Sequence, residues 1–92
     1  MNTDTIKCRK VEPGHFEQPG DFCIEERAGT AYLYIVFPGM TVPDAIEIKR
    51  GAQGGPRVWG WDGNKDAPTL TPSLNLIGVW HGYLKAGVLE SC

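Results

Sequence analysis

Glycine and proline interrupt this chain so often that a long helix has little room to form. The 92 residues include Gly 12 and Pro 7. Both residue types punctuate regular structure, so many short strands joined by turns are expected in preference to helices. Between the breakers the sequence alternates apolar and polar residues with the period of a strand.

Residues 5–11 give a weak first strand. Residues 12–21 hold Pro13, Gly14, Pro19 and Gly20 and read as a loop, with His15 as a solvated loop histidine. Residues 22–27 alternate, and Ala28-Gly29-Thr30 reads as a hairpin turn. Residues 31–37, AYLYIVF, are apolar on both faces and predict a central strand covered on both sides. Residues 44–50 alternate again, with Ile46 and Ile48 inward and Glu47 and Lys49 outward. Residues 51–56, GAQGGP, form a flexible loop whose glycines let backbone approach a ligand or a neighbouring chain.

Residues 58–61 place Trp59 and Trp61 on one face of a strand, and Asp62-Gly63-Asn64 is a turn signal. Residues 69–76 set Thr69, Thr71, Ser73 and Asn75 on one face and Leu70, Leu74 and Leu76 on the other. Pro68 and Pro72 cannot donate to a sheet ladder, so this is an edge strand or one broken by a bulge. Residues 79–84 put Val79, His81 and Tyr83 opposite Trp80 and Leu84, and a turn leads into residues 88–90. The expected fold is one mainly β domain over residues 1–92. It is a small antiparallel sandwich or open barrel of about six to seven short strands, with its motif core at residues 58–87.

A chain of this length buries roughly 60–70% of its unfolded surface. That suffices for one core, and favours a shallow groove or a site shared between subunits over a deep cleft. The formal charge of −2, without a basic run, speaks against duplex nucleic acid. Lys49, Arg50 and Arg57 leave room for a locally basic pocket. No apolar run approaches the ~20 residues that span a membrane, and the N-terminal residues lack a signal core. Cys8, Cys23 and Cys92 cannot all pair with one another, which fits a reducing compartment. A cytoplasmic protein is the resulting expectation.

The candidate site gathers around residues 58–87. Thr69, Thr71, Ser73 and Asn75 offer hydroxyls and an amide at ~6.6–6.8 Å intervals along a strand. His81, with Tyr83 on its face, offers a switchable donor. Trp59, Trp61 and Trp80 are first of all packing residues, and alternatively stacking faces for a ligand. Asp62 and Asn64 close one end, and Arg57 is placed to meet a phosphate. This set suits a small polar, nucleotide-like ligand. No nucleophile adjoins a base in a familiar motif, so the residues by themselves point to a protein that is not an enzyme. A Ser73–His81–Asp62 constellation is the catalytic alternative. No cofactor and no metal is called for.

The segments WGWDGN, PTLTPS and WHGYLKAG, in this order, resemble a family of small proteins of tailed phages and prophages. Its pattern is W-x-W-[DN]-G, P-T-L-[ST]-P-S and [CW]-H-[GS]-[YF]. The family is a domain of unknown function, some of whose members carry a misleading ammonia monooxygenase label. The likeness covers residues 19–92, with PGDF at residues 19–22. Longer relatives carry a cysteine cluster that suggests zinc, whereas here YIVFPGMTVPDA stands upstream and Val79-Trp80 precedes His81. The resemblance implies phage or prophage origin. With the small size and the absence of catalytic machinery, it leads to the expectation of a non-catalytic binding protein that sequesters a small nucleotide-like ligand or masks a host or defence protein, with a homo-oligomer as a natural form. The alternatives are a structural phage module derived from a zinc-binding relative, and a small hydrolase.

Overall fold

The alternating stretches fold into ten short strands, and among the described residues there is no helix. The computed structural model describes residues 5–51, 55 and 57–91. Most of the glycine loop expected at residues 51–56, and Cys92, therefore lie outside the described residues. The strands are β1 (Thr5–Lys7), β2 (Arg9–Lys10), β3 (Asp21–Arg27), β4 (Thr30–Ile35) and β5 (Asp44–Arg50). They continue as β6 (Val58–Trp61), β7 (Leu70–Thr71), β8 (Leu74–Leu76), β9 (Trp80–Lys85) and β10 (Val88–Ser91).

Two sheets result, a four-stranded one in the order β1-β10-β9-β8 and a six-stranded one in the order β2-β3-β4-β5-β6-β7. Neighbours are antiparallel except β2 with β3 and β5 with β6, which are parallel. One core lies between the sheets. Leu33, Ile35, Ile46 and Ile48 come from the larger sheet, and Leu74, Trp80, Leu84 and Leu89 from the smaller. Each such side chain stabilises the fold by about 1.5–3 kcal/mol when taken fully out of water.

The tight turns follow local chemistry. Ala28 and Gly29 have φ of 51° and 82°, and Ala86 and Gly87 have φ of 48° and 75°. Two consecutive left-handed residues match the right-handed twist of a hairpin. Asp62 builds its turn by accepting the N–H of Asn64 at 3.0 Å on its carboxylate.

Strand positions agree closely with the alternation, and three details differ. The apolar run at residues 31–37 does enter the sheet interior, but its second face is sealed only at Val36, which is 1% exposed. Leu33 and Ile35 are fully buried while Tyr32 and Tyr34 stay half-buried, because their phenol ends are better solvated than enclosed. Residues 5–11 are two strands in different sheets, crossing over at Cys8, whose N–H donates to the Gly87 carbonyl at 2.8 Å. Residues 69–76 likewise split into β7 in the larger sheet and β8 in the smaller. The break falls at Pro72 and Ser73, after a cis Thr71–Pro72 peptide. Pro72 has no N–H to give a ladder, and the Ser73 carbonyl accepts the Trp59 indole Nε1–H at 3.2 Å. Among the described residues no helix is long and apolar enough to cross a membrane.

Candidate active site

β8 and β9 form a hairpin whose register decides which side chains meet. Leu74 pairs with Gly82, Asn75 with His81 and Leu76 with Trp80. β9 alternates strictly, with Trp80, Gly82 and Leu84 buried and His81, Tyr83 and Lys85 exposed. The outer face of the hairpin therefore carries Asn75 on one strand and His81 and Tyr83 on the other, with Ser73 immediately before β8. Asn75 stands directly opposite His81. Continuing the register one step sets Ser73 opposite Tyr83 and diagonal to His81, a separation of about 7–8 Å between backbones that a long side chain spans.

Ser73 is held from below. Its carbonyl takes the Trp59 bond, and the next residue, Leu74, is 1% exposed. The half-buried Ser73 thus has its backbone anchored at the point where the chain changes sheets. His81 is exposed, on the open side of the same face. Tyr83 is 40% exposed, and the Lys85 ammonium lies 4.8 Å from its ring centroid.

The other residues singled out from the sequence are not brought together here. Asp62 is committed to backbone: it accepts the N–H of Asn64 and, at 3.2 Å, that of Thr69. Thr69 in turn accepts the Ala86 N–H at 2.8 Å on its hydroxyl. Ala86 lies five residues beyond His81, roughly 15 Å along a strand, so Asp62 is no partner for His81. Asn64 is a turn builder, accepting the N–H groups of Asp66 and Ala67, each at 2.9 Å, on its side-chain oxygen. The hydroxyl ladder does not exist as one row, since Thr69 and Thr71 stay with the larger sheet and Ser73 and Asn75 with the smaller.

The tryptophans serve packing, as the plainer reading expects. Trp61 is 2% exposed and donates Nε1–H to the Asn64 carbonyl at 3.1 Å, with the Arg50 guanidinium 5.0 Å from its ring centroid. Trp80 stacks on Phe37 with centroids 5.5 Å apart and donates to the Ser91 hydroxyl at 2.8 Å. Neither offers a free stacking face. Arg57 and Trp59 line a groove of about 310 Å³ beside β8. The described thiols are poor nucleophiles: burial pushes Cys8 up to about 11 and raises Cys23 as well.

A serine and an exposed histidine are the residue types that a covalent hydrolase uses as nucleophile and base. Residues 8–92 match the family model described as the bacterial ubiquitination-like system serine protease, BubE. The chain belongs to the BubE family. No curated protein and no solved structure matches it.

Membership in a serine protease family overturns two expectations drawn from the sequence: that the chain is a non-catalytic binding protein, and that it is not an enzyme. The family's description speaks of a bacterial system and mentions neither phages nor counter-defence. Ser73 and His81 entered the sequence reading as ligand-binding residues, and as a catalytic pair only within the alternative, because no local motif joins a nucleophile to a base. They are eight positions apart, and the β8–β9 hairpin places Asn75, two residues after Ser73, opposite His81. The signal that could have promoted them was the hairpin itself, with Gly78 between two strands of matching alternation.

Proposed function

We propose that this chain is a peptide-bond hydrolase of a bacterial ubiquitination-like system, with Ser73 as nucleophile and His81 as general base. The observation that carries the reading is the hairpin register, in which Asn75 stands opposite His81 and Ser73 immediately precedes β8. The family match supports the reaction class. In the first half-reaction His81 takes the proton from Ser73 Oγ as the oxygen attacks the scissile carbonyl carbon. The carbon–nitrogen bond then breaks, and the departing amine leaves with that proton. In the second half-reaction water gives a proton to His81 and its oxygen to the acyl carbon. The proton returns to Ser73 Oγ as the carboxylic acid departs.

Asn75 is the positioning residue in this reading. Directly opposed side chains on neighbouring antiparallel strands lie about 4.5–5.5 Å apart at Cβ, so its amide oxygen can accept a ring N–H and fix the imidazole. An amide in that place orients the ring without stabilising its charge, as a carboxylate would.

A small alkyl fluorophosphonate, followed by intact-mass measurement and peptide mapping, tests the assignment. One adduct is expected, on Ser73. It disappears in Ser73→Ala and forms on the order of 10²-fold more slowly in His81→Ala. An adduct on another serine, or equal rates with and without His81, overturns the proposal.

A further inference from the structure

β8 is the outer strand of its sheet, and its backbone groups divide into two sets. The Leu76 carbonyl accepts the Val79 N–H at 2.8 Å in the β8–β9 turn. Leu76 and, by alternation, Leu74 therefore direct their N–H and C=O groups at β9. Ser73 and Asn75 direct theirs the other way, the side from which Trp59 reaches the Ser73 carbonyl. On that side lies the groove of about 310 Å³, which runs between β8 and the first residues of β5.

β5 also presents an open edge there. Its pairing with β6 begins only at Glu47 opposite Val58. The Gly51 N–H donates to the Trp61 carbonyl at 2.9 Å, so the odd-numbered residues of β5 face the β6 side. By alternation the backbone groups of Ala45 open onto the groove, where the Asp44 carboxylate covers the Ala45 N–H at 3.0 Å. Among the described residues, no strand lies between these two edges. The floor is apolar, built from Ile46, Trp59, Leu74 and Leu76, and Asp44, Glu47 and Arg57 add charges of both signs to the lining.

We propose that this groove holds an extended segment of the protein substrate. The segment on the N-terminal side of the cleaved bond lies antiparallel along β8. The inference rests on Ser73 as nucleophile and names what that nucleophile is given. An extended chain completes an exposed strand edge through its main-chain hydrogen bonds, and alternate side chains supply selectivity. In the antiparallel direction the third residue before the cleaved bond pairs with Asn75, and the first pairs with Ser73. The Ser73 N–H then donates to the scissile carbonyl oxygen, where negative charge develops during attack.

Side chains opposite Leu74 and Leu76 turn inward, which selects the second and fourth residues before the bond. The Trp59 indole, anchored at Ser73, already occupies the space near Leu74. The room that remains is opposite Leu76, beside Ile46. An apolar side chain fits the fourth position, and a charged one is disfavoured by the cost of burying it against Ile46 and Leu76.

Tetrapeptide diphenyl phosphonates test this on the unaltered protein, with formation of the Ser73 adduct as readout. Three reagents are compared: Leu at the fourth residue from phosphorus, Glu there, and the Leu reagent N-methylated at the third residue. The Leu reagent is expected to react roughly fivefold or more faster than either of the others, the effect of losing one hydrogen bond or one buried contact. Should N-methylation or the fourth side chain leave the rate unchanged while a small fluorophosphonate still modifies Ser73, the groove assignment is overturned and the nucleophile stands. If no reagent modifies Ser73, both readings fall.

Discussion

Trp59 shows how a residue that looks like a ligand platform in the sequence becomes part of the site's framework. Its indole N–H ends on the Ser73 carbonyl at 3.2 Å, at the residue where the chain leaves one sheet for the other. Replacing it with phenylalanine keeps most of the apolar area and removes that one donor. Trp59→Phe is expected to slow fluorophosphonate labelling of Ser73 about fivefold, the consequence of losing roughly 1 kcal/mol, while the urea midpoint shifts little. A large loss of stability without a specific loss of rate would contradict this positioning role. Residue type alone hinted at many of these side chains. Asp62 and Ser73 were both legible as candidates, but nothing in the residue types says that one serves a turn and the other anchors an indole through its carbonyl.

At the scale of elements, the β8–β9–β10 ribbon depends on Gly82. It sits between His81 and Tyr83 on β9 and faces inward. A Cβ there would overlap the Glu90 carbonyl oxygen and come within 2.6 Å of the Trp80 ring. The Trp80 ring in turn packs on Phe37, so it has little freedom to withdraw. Gly82→Ala is therefore expected to cost about 2–3 kcal/mol or more. Gly14→Ala is a useful contrast, with φ of 83° and open space around its Cβ. It should cost only the roughly 1–2 kcal/mol of a left-handed backbone. Urea unfolding of the two variants separates steric overlap from backbone strain, and equal losses would refute the overlap argument. Alternation by itself makes β9 legible in the amino-acid sequence. The break between β7 and β8 was half legible, since Pro72 announced a fault in the strand but not that the two halves join different sheets.

Across the whole molecule, the crossing from β1 to β2 is locked by Asp21, which is fully buried. Its carboxylate takes Arg9 Nε at 2.9 Å and Nη2 at 2.7 Å, and the N–H groups of Glu17 and Gln18 at 2.8 and 3.2 Å. The Arg9 guanidinium, followed by those backbone donors, holds the carboxyl below the ordinary carboxylate range despite burial. A carboxyl with a folded pKa below its unfolded value of about 3.9 stabilises the protein above that pH. The contribution is lost as pH falls through the folded value. Asp21→Asn should lower stability at pH 7 by about 2–4 kcal/mol. The deficit relative to the parent protein should shrink steadily below pH ~4. A pH-independent deficit in urea melts would show that the charge is not what matters.

By itself the sequence determined the strands, the turns and the inward side of each strand. These follow from a two-residue period and from the short-range chemistry of glycine, proline, asparagine and aspartate, all of which act over a few residues. Only the tertiary structure decided that residues 5–11 and 69–76 each serve two sheets. It alone set Asn75 opposite His81 while holding Asp62 on the backbone of its own turn, and left the edges of β5 and β8 open to one groove. Those outcomes depend on register between strands and on which sheet a strand joins. Both are fixed by packing over the shared core and by hydrogen bonds such as Trp59 to Ser73, contacts between residues whose sequence separation no local pattern encodes.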